Sequence, residues 1–424
     1  MIQPFRFVPF FGRPVLSCQS KMYTYILLLS ILAIASGKTF DKVYSWQRMN
    51  FNFPNETVRK AYIESGDYVE ENNMPLGLAI ADNRMLITVP RWKNGVAATL
   101  NYIWMNDTNE SPALTPYPDL ETNNIHASDG LVSIFRVRVD DCGRLWGVDT
   151  GISDILGNTS VVQPVRIIVI DLKTDKVIRK YTLKDSDQKA DSFMADLVVD
   201  VKSDSCEDAY VYISDFSAYG LIVYSWAKND SWRIEHNYFY FDPLHGNYNI
   251  SGYNFQWTDG IFGVALTPFQ DDGYRTLCFH AMSGIREFCV STEILKDDTL
   301  TLSRNFYAFH VAGEKGQDSQ GPSSVIDQET RIAYFTQVHK NGISCWDTDV
   351  KLTPETFILA GQDNETMVYP NDLTIDYTSR KLYVLADNLP KFEHSNLNKI
   401  KGNYFITVAS LDSLTKLCKS QATM

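Results

Sequence analysis

The chain has 424 residues, 51 of them acidic and 39 basic, for a formal net charge of −12, with 44% hydrophobic and 13% aromatic side chains. That acidity excludes nucleic acid and anionic membrane surfaces as natural partners and favours cationic ones, besides keeping the chain soluble. The length suits two or three domains or one large β architecture.

Tyr23 to Ala35 is an apolar run, YTYILLLSILAIA, preceded by Lys21 and followed by Ser36 and Gly37. This reads as a signal peptide over residues 1–37, cleaved after Gly37. The run is too short to span a bilayer, and no later segment reaches the roughly 20 apolar residues a span needs. Met22 is well placed as a start, which makes residues 1–21 a candidate upstream extension. The segment carries Arg6, Arg13 and Lys21 and no acid, so the chain from 38 to 424, read as a single domain, is more acidic still.

Lys42 to Phe53 is strand-like but has no hairpin of its own, and Glu56 to Glu64 is a short helix candidate. Six related stretches follow, starting at Leu76, Ser133, Phe193, Gly260, Gly321 and Tyr369. Each is an apolar strand, a turn rich in Asp, Asn, Gly or Ser, and a second strand rich in Tyr, Leu, Val or Trp, which is a hairpin signature. The turns fall near Asp82, Asp141, Asp204, Asp271, Asp327 and Asp376, a spacing that leaves room for a four-stranded unit. Further strands read at Val165–Leu172, Gly220–Trp226 and Asn403–Leu411, and a last short helix at Asp412–Cys418. No Gly/Ser/Pro-rich linker divides the chain. The expected fold is therefore all-β, a six-bladed β-propeller, with Lys42–Phe53 added as the outer strand of the sixth blade to close the ring.

Export makes the cysteines readable. Six remain beyond the signal segment, and none shows CxxC spacing, so disulfides are expected rather than a zinc site. Cys142 and Cys206 occupy equivalent turns of consecutive units and are expected to bridge. Cys278 and Cys289 flank one hairpin, and Cys345 and Cys418 remain to pair. Seven N-x-S/T sequons, at Asn55, Asn106, Asn109, Asn158, Asn229, Asn249 and Asn364, agree with a secreted glycoprotein.

Five ordered motifs, DDCGRLWGVD (Asp140–Asp149), YVYISD (Tyr210–Asp215), DGIFGVALTP (Asp259–Pro268), NGISCWDT (Asn341–Thr348) and YPNDLTID (Tyr369–Asp376), resemble the yellow and major royal jelly protein family of insects over essentially the whole mature chain. Within it the chain is most similar to salivary yellow-related proteins of sand flies. That resemblance implies a six-bladed propeller secreted in saliva, which binds serotonin, noradrenaline, adrenaline, dopamine or histamine in its central channel. By the same resemblance it works as a monomer, without cofactor or catalysis. The family also implies an alternative, conversion of dopachrome in melanin chemistry. The family's pocket uses a Thr, an Asn and a backbone carbonyl from late blades, for which Thr356, Asn371 and Leu373 are the matches.

The residues themselves point to the same end of the channel. The inner strands open on Asp129, Asp196, Asp259, Gln320, Asn371 and Asp372, with Tyr369, Phe262, Trp257 and Phe193 beside them. An ammonium needs oxygen acceptors and an aromatic ring needs aromatic walls, which makes Asp259, Phe262, Tyr369, Asn371 and Asp372 candidate ligand contacts. Asx capping of strands and turns would explain single members of that set equally well. The seven histidines (His126, His236, His245, His280, His310, His339, His394) show no metal-ligand spacing, and no nucleophile elbow or phosphate loop occurs. Asp-Thr-Gly at Asp149–Gly151 stands once, as the end of a strand. A calcium-dependent lactonase of propeller type would need a channel glutamate, for which Glu71 is the nearest counterpart.

Overall fold

The apolar strands pair locally because each is joined to the next by a turn that its own residues favour. Asp82 adopts the left-handed conformation (φ 53°) in the first hairpin and Gly143 (φ 72°) in the second, positions where Asp and Gly carry little or no steric penalty. The computed structural model describes residues 38–299, 306–394 and 397–421. The expected signal peptide, residues 1–37, and the extension within it, 1–21, lie outside the described residues.

Six four-stranded antiparallel sheets follow one another along the chain. Their inner strands are Leu78–Ala81, Ile134–Val139, Met194–Asp200, Ile261–Leu266, Ser324–Ile326 and Pro370–Asp376. Each inner strand contacts the next around a closed ring, and the last returns to the first. The fold is a six-bladed β-propeller, and all six expected hairpins are the inner two strands of successive blades. Separate apolar clusters fill the wedges between neighbouring blades, as between blades two and three (Trp146, Val169, Leu197, Ile213) and blades three and four (Tyr212, Val223, Val264, Phe279).

The ring closes as expected, with the N-terminal strand pairing against Tyr404–Ser410 on the outside of blade six. That strand is Asp41–Trp46, shorter than the expected Lys42–Phe53. Past it the chain crosses to blade one, where Phe51 bridges Leu114, so its C-terminal half serves the neighbouring blade. The helices Glu56–Ser65 and Leu411–Gln421 form where short ones are expected, and the second runs longer at both ends. The sequence reading missed two small hairpins, Ile152–Val161 and Asn247–Gln256, and the helix Leu389–His394. Among the described residues no helix is long and apolar enough to cross a membrane.

All three expected disulfides are present, Cys142–Cys206, Cys278–Cys289 and Cys345–Cys418. Asp140, at the head of DDCGRLWGVD, organises that hairpin: its carboxylate accepts from the Cys142 and Arg144 amides, the Arg144 guanidinium and the Trp146 indole. Asp149 of the Asp-Thr-Gly triplet ends the second strand of blade two. It staples the inner strand's approach through the Val132 and Ser133 amides and holds Arg166. Asp215 does the same in blade three through the Phe193 amide and Arg233.

Candidate functional site

Four inner strands share an irregularity where they enter the ring. Their register slips between Ile134 and Val137, Met194 and Asp196, Ile261 and Gly263, and Pro370 and Asp372. Each slip is a β-bulge with one extra residue, among them Ala195, Phe262 and Asn371. A bulge leaves that residue outside the ladder and re-aims its side chain. The strict alternation of a strand is suspended at one end of the channel, and that is where an aromatic cavity lies.

Below the bulges the channel is plugged by four charges. Arg138 donates to both Asp372 oxygens at 3.0 Å and to Asp196 at 2.7 Å. Arg136, fully buried, lies 3.4 Å from Asp196 and 3.6 Å from Asp372. It also donates to the Pro322 carbonyl at 3.0 Å and to the backbone and side-chain oxygens of Asn371 at 2.7 and 2.8 Å. Ser323 and the Leu78 amide complete the Asp372 shell. Two arginines against two aspartates make a structural cross-brace, since breaking one partner would strand a buried charge.

Above the plug is a cavity of ≈ 200 Å³. Its wall is a chain of touching rings: Trp92 on Phe135 (5.5 Å), Phe135 on Phe193 (5.8 Å), Phe193 on Phe216 (5.5 Å) and Phe216 on Phe262 (5.0 Å). Trp257 and Tyr369, edge to face at 6.2 Å, form the other side, with Ile155, Leu156 and Leu389 between. Tyr369 is buried in the left-handed region (φ 55°), uncommon strain of the kind found beside functional sites. Arg136 lies under Phe262 (5.2 Å) and Phe135 (5.7 Å), so the plug is the cavity's floor.

Two carboxylates face this aromatic space. Asp259 precedes the inner strand of blade four, where its carbonyl accepts from Ser283. Burial, with the Glu393 charge nearby, pushes its carboxyl up to about 7. No hydrogen bond to the charged form opposes that shift. Glu393 comes from the helix Leu389–His394, which is pinned by the Leu389 amide on Asp387 (3.2 Å) and by Lys93 on the Phe392 carbonyl (2.9 Å). Its Oε2 is buried without a hydrogen bond, 3.6 Å from His394 Nε2. Burial raises its pKa, against the opposing pull of His394 and Lys93. Behind Asn371, burial lifts Asp387 to about 8, and Asn371 donates to it at 2.6 Å.

Of the expected contacts, Asp259, Phe262, Tyr369 and Asn371 line the cavity together. Three others are placed elsewhere. Asp372 is spent in the plug, one residue deeper than Asn371. Leu373, expected to offer its backbone carbonyl, lies one residue deeper still in the ladder, paired with Val384, and its side chain packs into the apolar wedge between blades five and six. Thr356 sits in the connection between the outer strands of blade five, bonded to the Lys351 carbonyl at 2.7 Å. That connection lies on the face of the ring that carries the hairpin turns, opposite the mouth. Asp129 is exposed at the rim against Arg166 and Lys180, and Gln320 donates to the His245 carbonyl. Trp92, Phe135, Ile155, Leu156, Phe216, Leu389 and Glu393 are the lining residues that sequence reasoning missed. Among the described residues no His, Cys, Asp or Glu group could hold a metal ion.

Ring, plug and cavity define a six-bladed propeller with a small aromatic chamber, carrying two carboxylates, at the end of the channel where the inner strands enter. The chain belongs to the yellow and major royal jelly protein family. The major royal jelly protein family matches residues 132–418. Protein yellow of Drosophila yakuba and of Drosophila melanogaster are each 37% identical to this chain over 401 residues, covering 93% of it and 73% of the relative. Among solved structures, a luciferin-regenerating enzyme superposes with a TM-score of 0.46 at 10% identity, covering 88% of this chain and 95% of that one.

Proposed function

We propose that the protein binds small cationic aromatic amines, of the serotonin, catecholamine or histamine kind, in the chamber at the mouth of its channel. The observation that carries this reading is the Asp259 carboxylate, which accepts no hydrogen bond among the described residues and stands in a wall of aromatic rings. An ammonium supplies the charge that this carboxylate lacks, and the rings add cation–π attraction and a flat slot for the ligand's ring. The volume, below the ~300–1,000 Å³ of pockets for drug-sized ligands, suits a molecule of one or two rings. The buried plug closes the floor of the chamber, which suits retention.

Isothermal titration of the purified protein against serotonin, noradrenaline, adrenaline, dopamine and histamine tests the proposal. Binding near one to one is expected, weakened ten- to a hundredfold in Asp259→Asn, because a hydrogen bond to a charged group contributes about 1.5–3 kcal/mol. If no amine in the panel binds the wild type, the reading fails. A second reading, conversion of dopachrome, is favoured by one observation: a carboxyl near 7 is matched to general-base work at neutral pH. Turnover of dopachrome that disappears in Asp259→Asn would select it.

The setting we propose is a secreted, monomeric glycoprotein, saliva being the place suggested by the sand fly resemblance. Three disulfides fit an oxidising compartment, and all seven sequon asparagines are exposed. A mass shift on enzymatic deglycosylation of the secreted chain tests the glycan half of that statement.

A further inference from the structure

A second cleft, of ≈ 230 Å³, lies between blades three and four, away from the channel, beside the turn Met282–Ile285. Its platform is Tyr240, 53% exposed yet held flat by stacking on Tyr219 at 4.5 Å and 27°. The opposite wall is Tyr238 stacked on Phe288 at 4.5 Å and 21°. At the rim Asp242 is fixed from three sides: its amide donates to the Ser283 carbonyl (2.7 Å), while its carboxylate accepts from the Leu244 amide (3.0 Å) and from Arg286 (3.1 Å). The second arm of Arg286 lies 3.6 Å from Glu314, too far for a full hydrogen bond, and keeps donors free.

The charges separate this cleft from the chamber. Asp259 has no cation beside it among the described residues, so the chamber favours a cationic ligand. Here Asp242 already faces Arg286, and Arg286 already faces two carboxylates, so neither a cation nor an anion gains much. What the cleft offers is an exposed aromatic plane with fixed acceptors and donors along one edge. A pyranose has that complementary form, with a C–H face that lies on an aromatic ring and a rim of hydroxyls that both give and accept hydrogen bonds. We propose that the Tyr240 cleft is a carbohydrate-binding site for a single neutral hexose residue, free or at the end of a glycan. It is separate from the amine chamber, and the inference does not depend on the amine reading.

Saturation-transfer NMR on the full-length secreted protein with glucose, mannose, galactose and N-acetylglucosamine tests this. At least one sugar should show transfer concentrated on its C–H face. Tyr240→Ala should weaken that binding at least tenfold, Tyr240→Trp should retain it, and Arg286→Ala, at an exposed position, should weaken it without disturbing the fold. Binding at the amine chamber should be unchanged in all three. Absence of transfer from all four sugars, transfer that persists in both Tyr240→Ala and Arg286→Ala, or an amine stoichiometry that falls in Tyr240→Ala would each overturn the proposal.

Discussion

Asp259 can hold an ammonium only when it is ionised, and its surroundings set when that is. With its carboxyl pushed up to about 7 by burial and by Glu393, it is mostly neutral at pH 5.5 and mostly charged at pH 8. Serotonin and the catecholamines keep their ammonium charge over that window, so their affinity should rise with pH through neutrality, by about thirtyfold between those two values if Asp259 acts alone. Calorimetry at the two pH values reads it directly, and Asp259→Asn should flatten the profile. Asn371 behaves differently. Its amide joins Arg136 to Asp387; Arg136 keeps the Asn371 backbone carbonyl without it, so Asn371→Ala strands the buried Asp387 oxygen and should lower unfolding stability by about 1–3 kcal/mol in a denaturant titration. Its effect on amine affinity should be smaller than that of Asp259→Asn. Phe262, Tyr369, Asp259 and Asn371 were legible because they sit in motifs at strand entrances. Asp372 was misplaced because neighbours across a bulge face the same channel at different depths, which adjacency in sequence does not reveal. Glu393 was invisible because it rides on a six-residue helix inside a connection, where neither strand nor long-helix periodicity marks it.

The helix Glu56–Ser65 tests how local chemistry and modification share a residue. Asn55 caps it, its side-chain oxygen accepting from the Val58 amide at 3.0 Å, and Asn55 is also the acceptor of a sequon. Glycosylation uses the amide nitrogen, so both roles fit one side chain. Asn55→Asp should abolish the glycan and keep the cap, whereas Asn55→Ala should abolish both and destabilise the helix by about 1 kcal/mol. Mass spectrometry and thermal unfolding of the two variants separate the effects. The hairpins were readable because alternation and turn residues recur six times. The bulges were not, since a period of two has no place for an extra residue. The length of the closing strand was overread because Lys42–Phe53 is one apolar stretch shared between two blades, Trp46 ending its part in blade six and Phe51 serving blade one.

The ring is held by two kinds of closure. The first and last strands of the described chain lie side by side in blade six, and Cys345–Cys418 ties the C-terminal helix to blade five across 73 residues. Replacing Cys345 and Cys418 together by Ser should cost about 2–5 kcal/mol, read as a lower melting temperature under non-reducing conditions. Replacing Cys278 and Cys289, only 11 residues apart on paired strands, should cost less, because a short loop loses less freedom on closure. The brace of Arg136 and Arg138 against Asp196 and Asp372 has a further effect on how any guest behaves. A tunnel open at both ends would let solvent and solutes stream past, whereas this one is a cup. For a guest in the chamber, arrival and departure would use the same doorway, a lodged molecule would bar the next from the floor, and any bulky tail would hang outward.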